Sequence, residues 1–264
     1  EMGVAVEGST ASWSAAVRTP PALQLDPYNR KDSWIEVFNR GTDAFDCSVT
    51  ANRDWILAGE NTVHIADQKR ISVCIDWDKA PEGIVKGEIR IEGAGTAITV
   101  IIQTVKPEIG KSGKDAFFIE TGKCLAMEAA HYTRRTGDKK RAWMPVEGYG
   151  RTLSGMRAQA ETDPPMLYPG TNAPCLEYRA WFCDAGEAKV ILTLSPVLNF
   201  IPGRAVRVGV SLNGGESEII TIVPGNYVVK NSNADWSASV SHEARFVESI
   251  QYIERAGINT VKVW

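Results

Sequence analysis

The stretch Ala44-Phe-Asp-Cys-Ser-Val-Thr-Ala51 alternates apolar and polar residues along its whole length. Its four apolar side chains after Ala44, from Phe45 to Ala51, share one face, and its polar side chains share the other. A period of two is that of a β-strand with one face buried and the other in solvent. The segment Arg70-Ile-Ser-Val-Cys-Ile-Asp-Trp77 repeats the pattern. Both stretches therefore predict a fold built from half-buried strands.

Comparable short runs recur along the chain, separated by turn-forming stretches such as Asn213-Gly-Gly215. They cover residues 34–40, 87–91, 97–105, 176–182, 189–194, 205–212, 218–223 and 246–253. No window of about twelve residues carries the 3.6-residue apolar period of a helix. Helix is therefore expected only as a turn or two, near His131 and Trp236. The predicted fold class is all-β.

The segment Lys106–Lys114 has the composition of a linker, with glycine, proline and lysine and one large apolar residue. Residues 1–107 have the size and strand number of an immunoglobulin-like β-sandwich. Residues 108–264 have the size of a jelly-roll β-sandwich. The sequence thus predicts two β-sandwiches in series.

Composition argues against several classes of function. The 29 basic and 32 acidic residues give a net charge of −3, which offers no electrostatic surface for nucleic acid or for an anionic membrane. No apolar run reaches the ~18 residues of a membrane span. The five cysteines are too sparse and irregular for a disulfide framework or a zinc site, so they are expected to be free thiols.

Three segments carry a family resemblance: Gly3-Val-Ala-Val-Glu-Gly8, Cys124-Leu-Ala-Met-Glu-Ala-Ala-His-Tyr132 and Trp143-Met-Pro-Val-Glu-Gly-Tyr-Gly-Arg-Thr-Leu-Ser-Gly155. Together they resemble the C-terminal region of family 115 glycoside hydrolases, the xylan α-1,2-glucuronidases. The resemblance implies an accessory region without the catalytic barrel, in a secreted or periplasmic parent enzyme that acts on glucuronoxylan and forms a homodimer. The first domain, with Trp34-Ile-Glu-Val-Phe-Asn-Arg-Gly41, is also similar to BACON-type modules.

The second domain is similar to carbohydrate-binding modules of families 6 and 35. The similarity rests on Phe118-Ile-Glu120, Met127-Glu-Ala-Ala-His-Tyr132 and the closing Gly257-Ile-Asn-Thr-Val-Lys-Val-Trp264. In such modules two alternate acids near the start help to hold a structural calcium ion, which takes several oxygen ligands. Here Glu128 is the metal-ligand candidate, while Ala130 stands in the place of the second acid. No cofactor is therefore expected, and stability should depend little on calcium.

Sugar-binding modules place exposed aromatic rings against the apolar faces of pyranose rings. The candidates in predicted loops or on polar strand faces are Trp143, Tyr149, Trp181 and Trp236. Arg151 lies in the glycine-rich loop Gly148–Gly155 and could pair with a carboxylate, either of a uronic acid or of the protein. Packing inside the domain is the alternative role for each of these side chains.

Catalysis by this chain alone is not expected. A (β/α)₈ barrel needs alternating strands and helices over about 250 residues, and the sequence lacks the helical pattern. No nucleophile elbow, phosphate loop or His-Glu-x-x-His motif occurs. The sequence leaves two functions open: a region that supports the catalytic core and binds glucuronoxylan, or a purely structural module for dimerisation or docking between domains.

Overall fold

The computed structural model describes residues 1–14, 19–29, 32–107, 118–159, 166–199, 201–230 and 233–264. The chain divides into two compact units, Glu1–Lys111 with Thr121–Cys124, and Ser112–Glu120 with Leu125–Trp264. Of the linker expected over 106–114, only residues 106 and 107 lie in the described part. Apart from one short helix, the regular elements in the described part of both units are β-strands, so the all-β prediction is confirmed.

The first unit contains two sheets, each of five described strands, in the orders β2-β1-β4-β8-β6 and β3-β10-β9-β5-β7. The strands are β1 (Met2–Val6), β2 (Ser12–Trp13), β3 (Ala22–Leu25), β4 (Ser33–Asn39), β5 (Phe45–Ala51), β6 (Ile56–Ala58), β7 (Thr62–Ile65), β8 (Gln68–Ile75), β9 (Gly83–Gly93) and β10 (Thr96–Lys106). Apart from β3, which is parallel to β10, neighbouring strands are antiparallel. The order β1-β4-β8-β6 facing β5-β9-β10 is that of the A-B-E-D and C-F-G sheets of an immunoglobulin-like sandwich.

The alternation of apolar residues explains why these strands form a sandwich. In β10, Val100 and Ile102 are fully buried, while their neighbours Thr99 and Ile101 are only partly covered. Ile89 and Ile91 of β9 are also fully buried and belong to the same core cluster. Burial of each such side chain contributes about 1.5–3 kcal/mol. The core between the two sheets is therefore the main source of stability in this unit.

The second unit contains one large sheet of six described strands, in the order β11-β15-β20-β17-β18 with β12 also paired to β15. A hairpin, β13-β14, and a ribbon, β16-β19, complete it. The strands are β11 (Phe118–Ile119), β12 (Arg134–Thr136), β13 (Ala142–Glu147), β14 (Ser154–Gln159), β15 (Cys175–Phe182), β16 (Gly186–Leu194), β17 (Val206–Leu212), β18 (Glu218–Val223), β19 (Arg245–Ile253) and β20 (Gly257–Val263). The helix α1 spans Ala234–Ser241 and contains Trp236, as the sequence predicts.

One face of the large sheet forms the second core. Leu176 and Tyr178 of β15 and Val261 of β20 lie on this face, where Ile253 of the ribbon joins them. The ribbon therefore packs across the sheet as a second layer. A jelly roll has eight strands shared between two sheets, and this arrangement of a large sheet with a two-stranded ribbon and a separate hairpin does not confirm one.

The helix α1 is fastened to the sheet by Arg245, whose side chain is only 12% exposed. Its Nη2 group donates to Asp235 Oδ2 over 2.7 Å, and its Nη1 group donates to the carbonyl oxygen of Ile222 on β18. The Tyr227 hydroxyl also donates to Asp235, over 3.0 Å. One arginine thus connects the helix, the sheet edge and β19.

Candidate functional site

The glycine-rich loop Gly148–Gly155 connects β13 to β14. Gly148 and Gly150 take φ values of 63° and 130°, in the region that favours glycine. This geometry brings the chain back on itself, so that Tyr149 lies against the backbone of Gly155. The side chains between these glycines therefore project from a short and constrained turn.

Three side chains of this loop are hydrogen-bonded to distant parts of the second unit. The Tyr149 hydroxyl lies 2.6 Å from Ser195 Oγ, just after β16. Arg151 Nη2 donates to the carbonyl oxygen of His242 over 3.1 Å, at the C-terminal end of α1. The Thr152 hydroxyl donates to the Glu128 carboxylate. These contacts hold the loop in place.

Arg151 also lies near an aromatic ring from a distant strand. Its guanidinium carbon lies 5.5 Å from the ring centroid of Phe246 on β19, within the range of a cation–π contact. Tyr149, Leu153 and Phe246 remain 52%, 53% and 50% exposed. We call Tyr149, Arg151, Leu153 and Phe246 the glycine-loop surface.

The glycine-loop surface combines half-exposed aromatic rings with an arginine that has several donors. Such a combination can stack on the apolar face of a sugar and donate to its hydroxyl or carboxylate oxygens. The guanidinium has five N–H donors, and the His242 carbonyl takes one of them. Within the described residues this partner is a backbone carbonyl, and pairing of Arg151 with a carboxylate stays a prediction.

The structure does not bring the three predicted tryptophans to this surface. The Trp143 ring packs against the second core, and its Nε1 group donates to the carbonyl oxygen of Pro174 over 3.0 Å. Trp181 is half-buried on the sheet face opposite that core, in register with Ile258. Trp236 is half-buried in α1, six residues before His242 and so about 9 Å along the helix axis from it. Packing accounts for the position of Trp143, and sugar binding by Trp143, Trp181 and Trp236 stays a prediction.

Glu128 acts in the described structure as an anchor of the glycine-rich loop. Its carboxylate accepts the Thr152 hydroxyl, and its carbonyl accepts the N–H of His131 over 3.0 Å in the short turn that follows. Among the described residues, no cluster of three or more histidine, cysteine, aspartate or glutamate side chains could hold a metal ion. The geometry around Glu128 is thus explained by hydrogen bonding.

We expect the melting temperature of the chain to change little when millimolar Ca²⁺ is added or when a chelator removes it. Any ion that binds only the folded state must raise the melting temperature by mass action. Differential scanning calorimetry with and without Ca²⁺ checks this expectation. A rise of several degrees that a chelator reverses would show that other oxygen ligands compensate for the alanine at position 130.

The buried thiol of Cys175 is a poor nucleophile. The five cysteines form no disulfide within the described residues, and Cys175 and Cys183 are buried. The pKa of Cys175 is raised to about 11, mainly because the thiol is buried and secondly because the charge of Glu177 lies nearby. Burial likewise raises the pKa of Tyr178, whose hydroxyl donates to the carbonyl oxygen of Ala129 over 2.8 Å. At neutral pH the Cys175 thiol therefore stays protonated, and only the thiolate is a strong nucleophile.

No helix within the described ranges is both long enough and apolar enough to cross a membrane.

Residues 117–264 match the family model of the glycosyl hydrolase family 115 C-terminal domain. No match was found among curated proteins.

Three solved structures are similar to the chain at low identity. A family 115 4-O-methyl-α-glucuronidase with specificity for decorated arabinogalactans is 13% identical with a TM-score of 0.33, over 60% of this chain and 17% of that one. Tripeptidyl peptidase 2 is 9% identical with a TM-score of 0.32, and the match covers 100% of this chain and 19% of that protein. The periplasmic chaperone SfaE is 7% identical with a TM-score of 0.29, and the match covers 66% of this chain and 91% of that protein. The chain spans less than a fifth of the length of the first two proteins.

Proposed function

Because the chain belongs to glycosyl hydrolase family 115 through its C-terminal domain, we propose that it is a non-catalytic accessory region that binds glucuronoxylan. In this role it supports the catalytic part of a secreted or periplasmic parent enzyme and holds the polysaccharide near it. The parent enzyme, its substrate and its location outside the cytoplasm belong to the proposal.

The observation that carries the proposal is the glycine-loop surface. The rings of Tyr149 and Phe246 are half exposed. The Tyr149 hydroxyl is hydrogen-bonded to Ser195, and the Phe246 ring lies against Arg151. Because Ser195 and His242 already fix the loop, a sugar would not have to order it on binding, which lowers the entropic cost of association. Glucuronoxylan offers both an apolar pyranose face for the rings and a carboxylate for Arg151.

A second function, docking to another protein surface, is favoured by the outer face of the ribbon β16-β19. Ile191, Ile250 and Tyr252 on this face are 53%, 51% and 67% exposed. Between them, Lys189 and Glu248 form an ion pair of 3.1 Å. An apolar surface with paired charges is typical of contacts between proteins. A docking module of this kind would stabilise the parent enzyme or its dimer without binding sugar.

Affinity electrophoresis in glucuronoxylan separates the two functions. We expect the pure, folded chain to migrate more slowly in a native gel that contains glucuronoxylan than in a gel without polysaccharide, because only a binding protein is retarded. Bovine serum albumin in neighbouring lanes controls for gel viscosity. Equal migration of the chain in both gels would favour the docking function.

The proposed function also requires that the same preparation releases no 4-O-methylglucuronic acid from glucuronoxylan. An all-β chain lacks the barrel on which we expect the active site of the parent enzyme to lie. Release of the acid by the pure chain would contradict the non-catalytic role.

A further inference from the structure

A polar cavity of about 510 Å³ lies on the outer face of the large sheet in the second unit, opposite the core. Its lining residues come from β12, β15 and β20 and from the turns that follow β17 and β19. None of its lining residues belongs to the glycine-loop surface. The size is within the range of ligand sites, about 300–1,000 Å³.

Two asparagines fix the two turns that line the cavity. Asn213 Nδ2 donates to Asn259 Oδ1 over 2.6 Å, and Asn213 Oδ1 accepts the backbone N–H of Thr260 over 2.8 Å. Asn259 is 1% exposed, and its Nδ2 group donates to the carbonyl oxygens of Arg255 and Gly257. The turn after β17 is thereby tied to β20 and to the turn before it. The cavity is preformed, so a ligand would not have to order its walls.

Charged side chains of both signs lie in one row across the strands of the cavity. The Glu177 carboxylate lies 3.2 Å from Lys262 Nζ and 3.9 Å from Arg134 Nη1. The row therefore offers donors and acceptors side by side.

The composition of the lining restricts the class of ligand. Three cations and two carboxylates line the cavity, which leaves one excess positive charge. A small inorganic anion would face Glu177 and Glu254, and a metal cation would face the three cations. A polyhydroxylated ligand can use donors and acceptors together, and the 37% exposed Ile258 offers it an apolar contact. A single carboxylate on that ligand would balance the excess charge.

We infer that this cavity binds an acidic saccharide unit, as a second sugar site separate from the glycine-loop surface. The choice of a sugar rests on the proposed function, whereas the site itself rests on the cavity and its charges. Arg134 and Arg255 bind the carboxylate, and Glu177 and Asn213 bind hydroxyl groups. A polysaccharide chain with acidic branches is then held at two places on one unit.

Nuclear magnetic resonance of the whole chain tests this inference. The probe is a short xylo-oligosaccharide with one glucuronosyl branch, titrated in parallel with the unbranched oligosaccharide. We expect the backbone amide signals of Asn213, Gly214 and Thr260 to shift with the branched probe, and we expect Arg255→Gln to weaken this binding about tenfold, because a charge-assisted hydrogen bond is lost. Arg157→Gln, which removes an exposed arginine of β14 outside the cavity, is the matched control and should leave the affinity unchanged.

Each other outcome overturns the inference in a recognisable way. Shifts confined to the glycine-rich loop would remove the second site and leave the proposed function standing. Equal affinity for both probes, or equal affinity of Arg255→Gln and the unchanged chain, would contradict recognition of the acidic group. The absence of any shift with either probe would contradict both the second site and sugar binding by the chain.

Discussion

Ile102→Ala is expected to lower the free energy of unfolding of the first unit by about 3 kcal/mol. Ile102 is fully buried in β10, at the centre of the core between the two sheets. Removing three of its carbon atoms loses transfer free energy and leaves a cavity that the neighbouring strands fill only in part. Urea unfolding monitored by tryptophan fluorescence checks the value, since Trp13, Trp34, Trp55 and Trp77 all lie in this unit.

The matched control for Ile102→Ala is Ile84→Ala. Ile84 is the second residue of the neighbouring strand β9 but is 41% exposed, so the same chemical deletion should cost well under about 1 kcal/mol. If the two variants lost the same stability, the assignment of the core to the face of Ile102 would be wrong.

Arg245→Met is expected to destabilise the second unit by about 2 kcal/mol and to loosen α1. Methionine keeps much of the apolar stem but removes the donors to the Ile222 carbonyl and to Asp235. The carbonyl group is then left without this donor in a poorly hydrated place, which is the main part of the cost. Hydrogen exchange should show faster exchange of the amides of α1, Ala234–Ser241, than in the unchanged chain.

Arg157→Met provides the comparison for that experiment, because Arg157 is exposed on the β13-β14 hairpin. Its exchange pattern and stability should match those of the unchanged chain. If α1 kept its slow exchange in Arg245→Met, the helix would be held by its other contacts, such as the Tyr227 hydroxyl bond to Asp235.

The sequence predicts most of the longer strands that have one buried face. The period of two in β5, β8, β10 and β15 is direct evidence of a sheet with an apolar side, and the structure confirms these strands. The sequence does not predict the hairpin β13-β14, because β13 contains Pro145 and its apolar and polar residues do not alternate cleanly. An edge position tolerates such a proline, since one side of the strand needs no partner.

The site was harder to predict than the strands. Tyr149 and Arg151 were recognised in the glycine-rich loop, but Ser195 and Phe246 meet them from distant parts of the sequence. Contacts at such separation leave no periodic signal. The sequence identifies Asn213 only as a turn residue, and its bond to Asn259 depends on how the end of β17 meets the start of β20. Sequence periodicity therefore predicts which face is buried better than it predicts which loops converge.

The most direct test of the central claim compares glucuronoxylan binding by the unchanged chain, Tyr149→Ala and Tyr168→Ala in isothermal titration calorimetry. Tyr149 belongs to the glycine-loop surface, whereas Tyr168 is an equally exposed tyrosine outside it, with exposures of 52% and 57%. We expect the unchanged chain and Tyr168→Ala to bind with the same affinity and Tyr149→Ala to bind about tenfold more weakly, because the stacking ring is lost. Absence of binding by the folded, unchanged chain, or equal affinities of all three proteins, would contradict a sugar-binding accessory role for this surface.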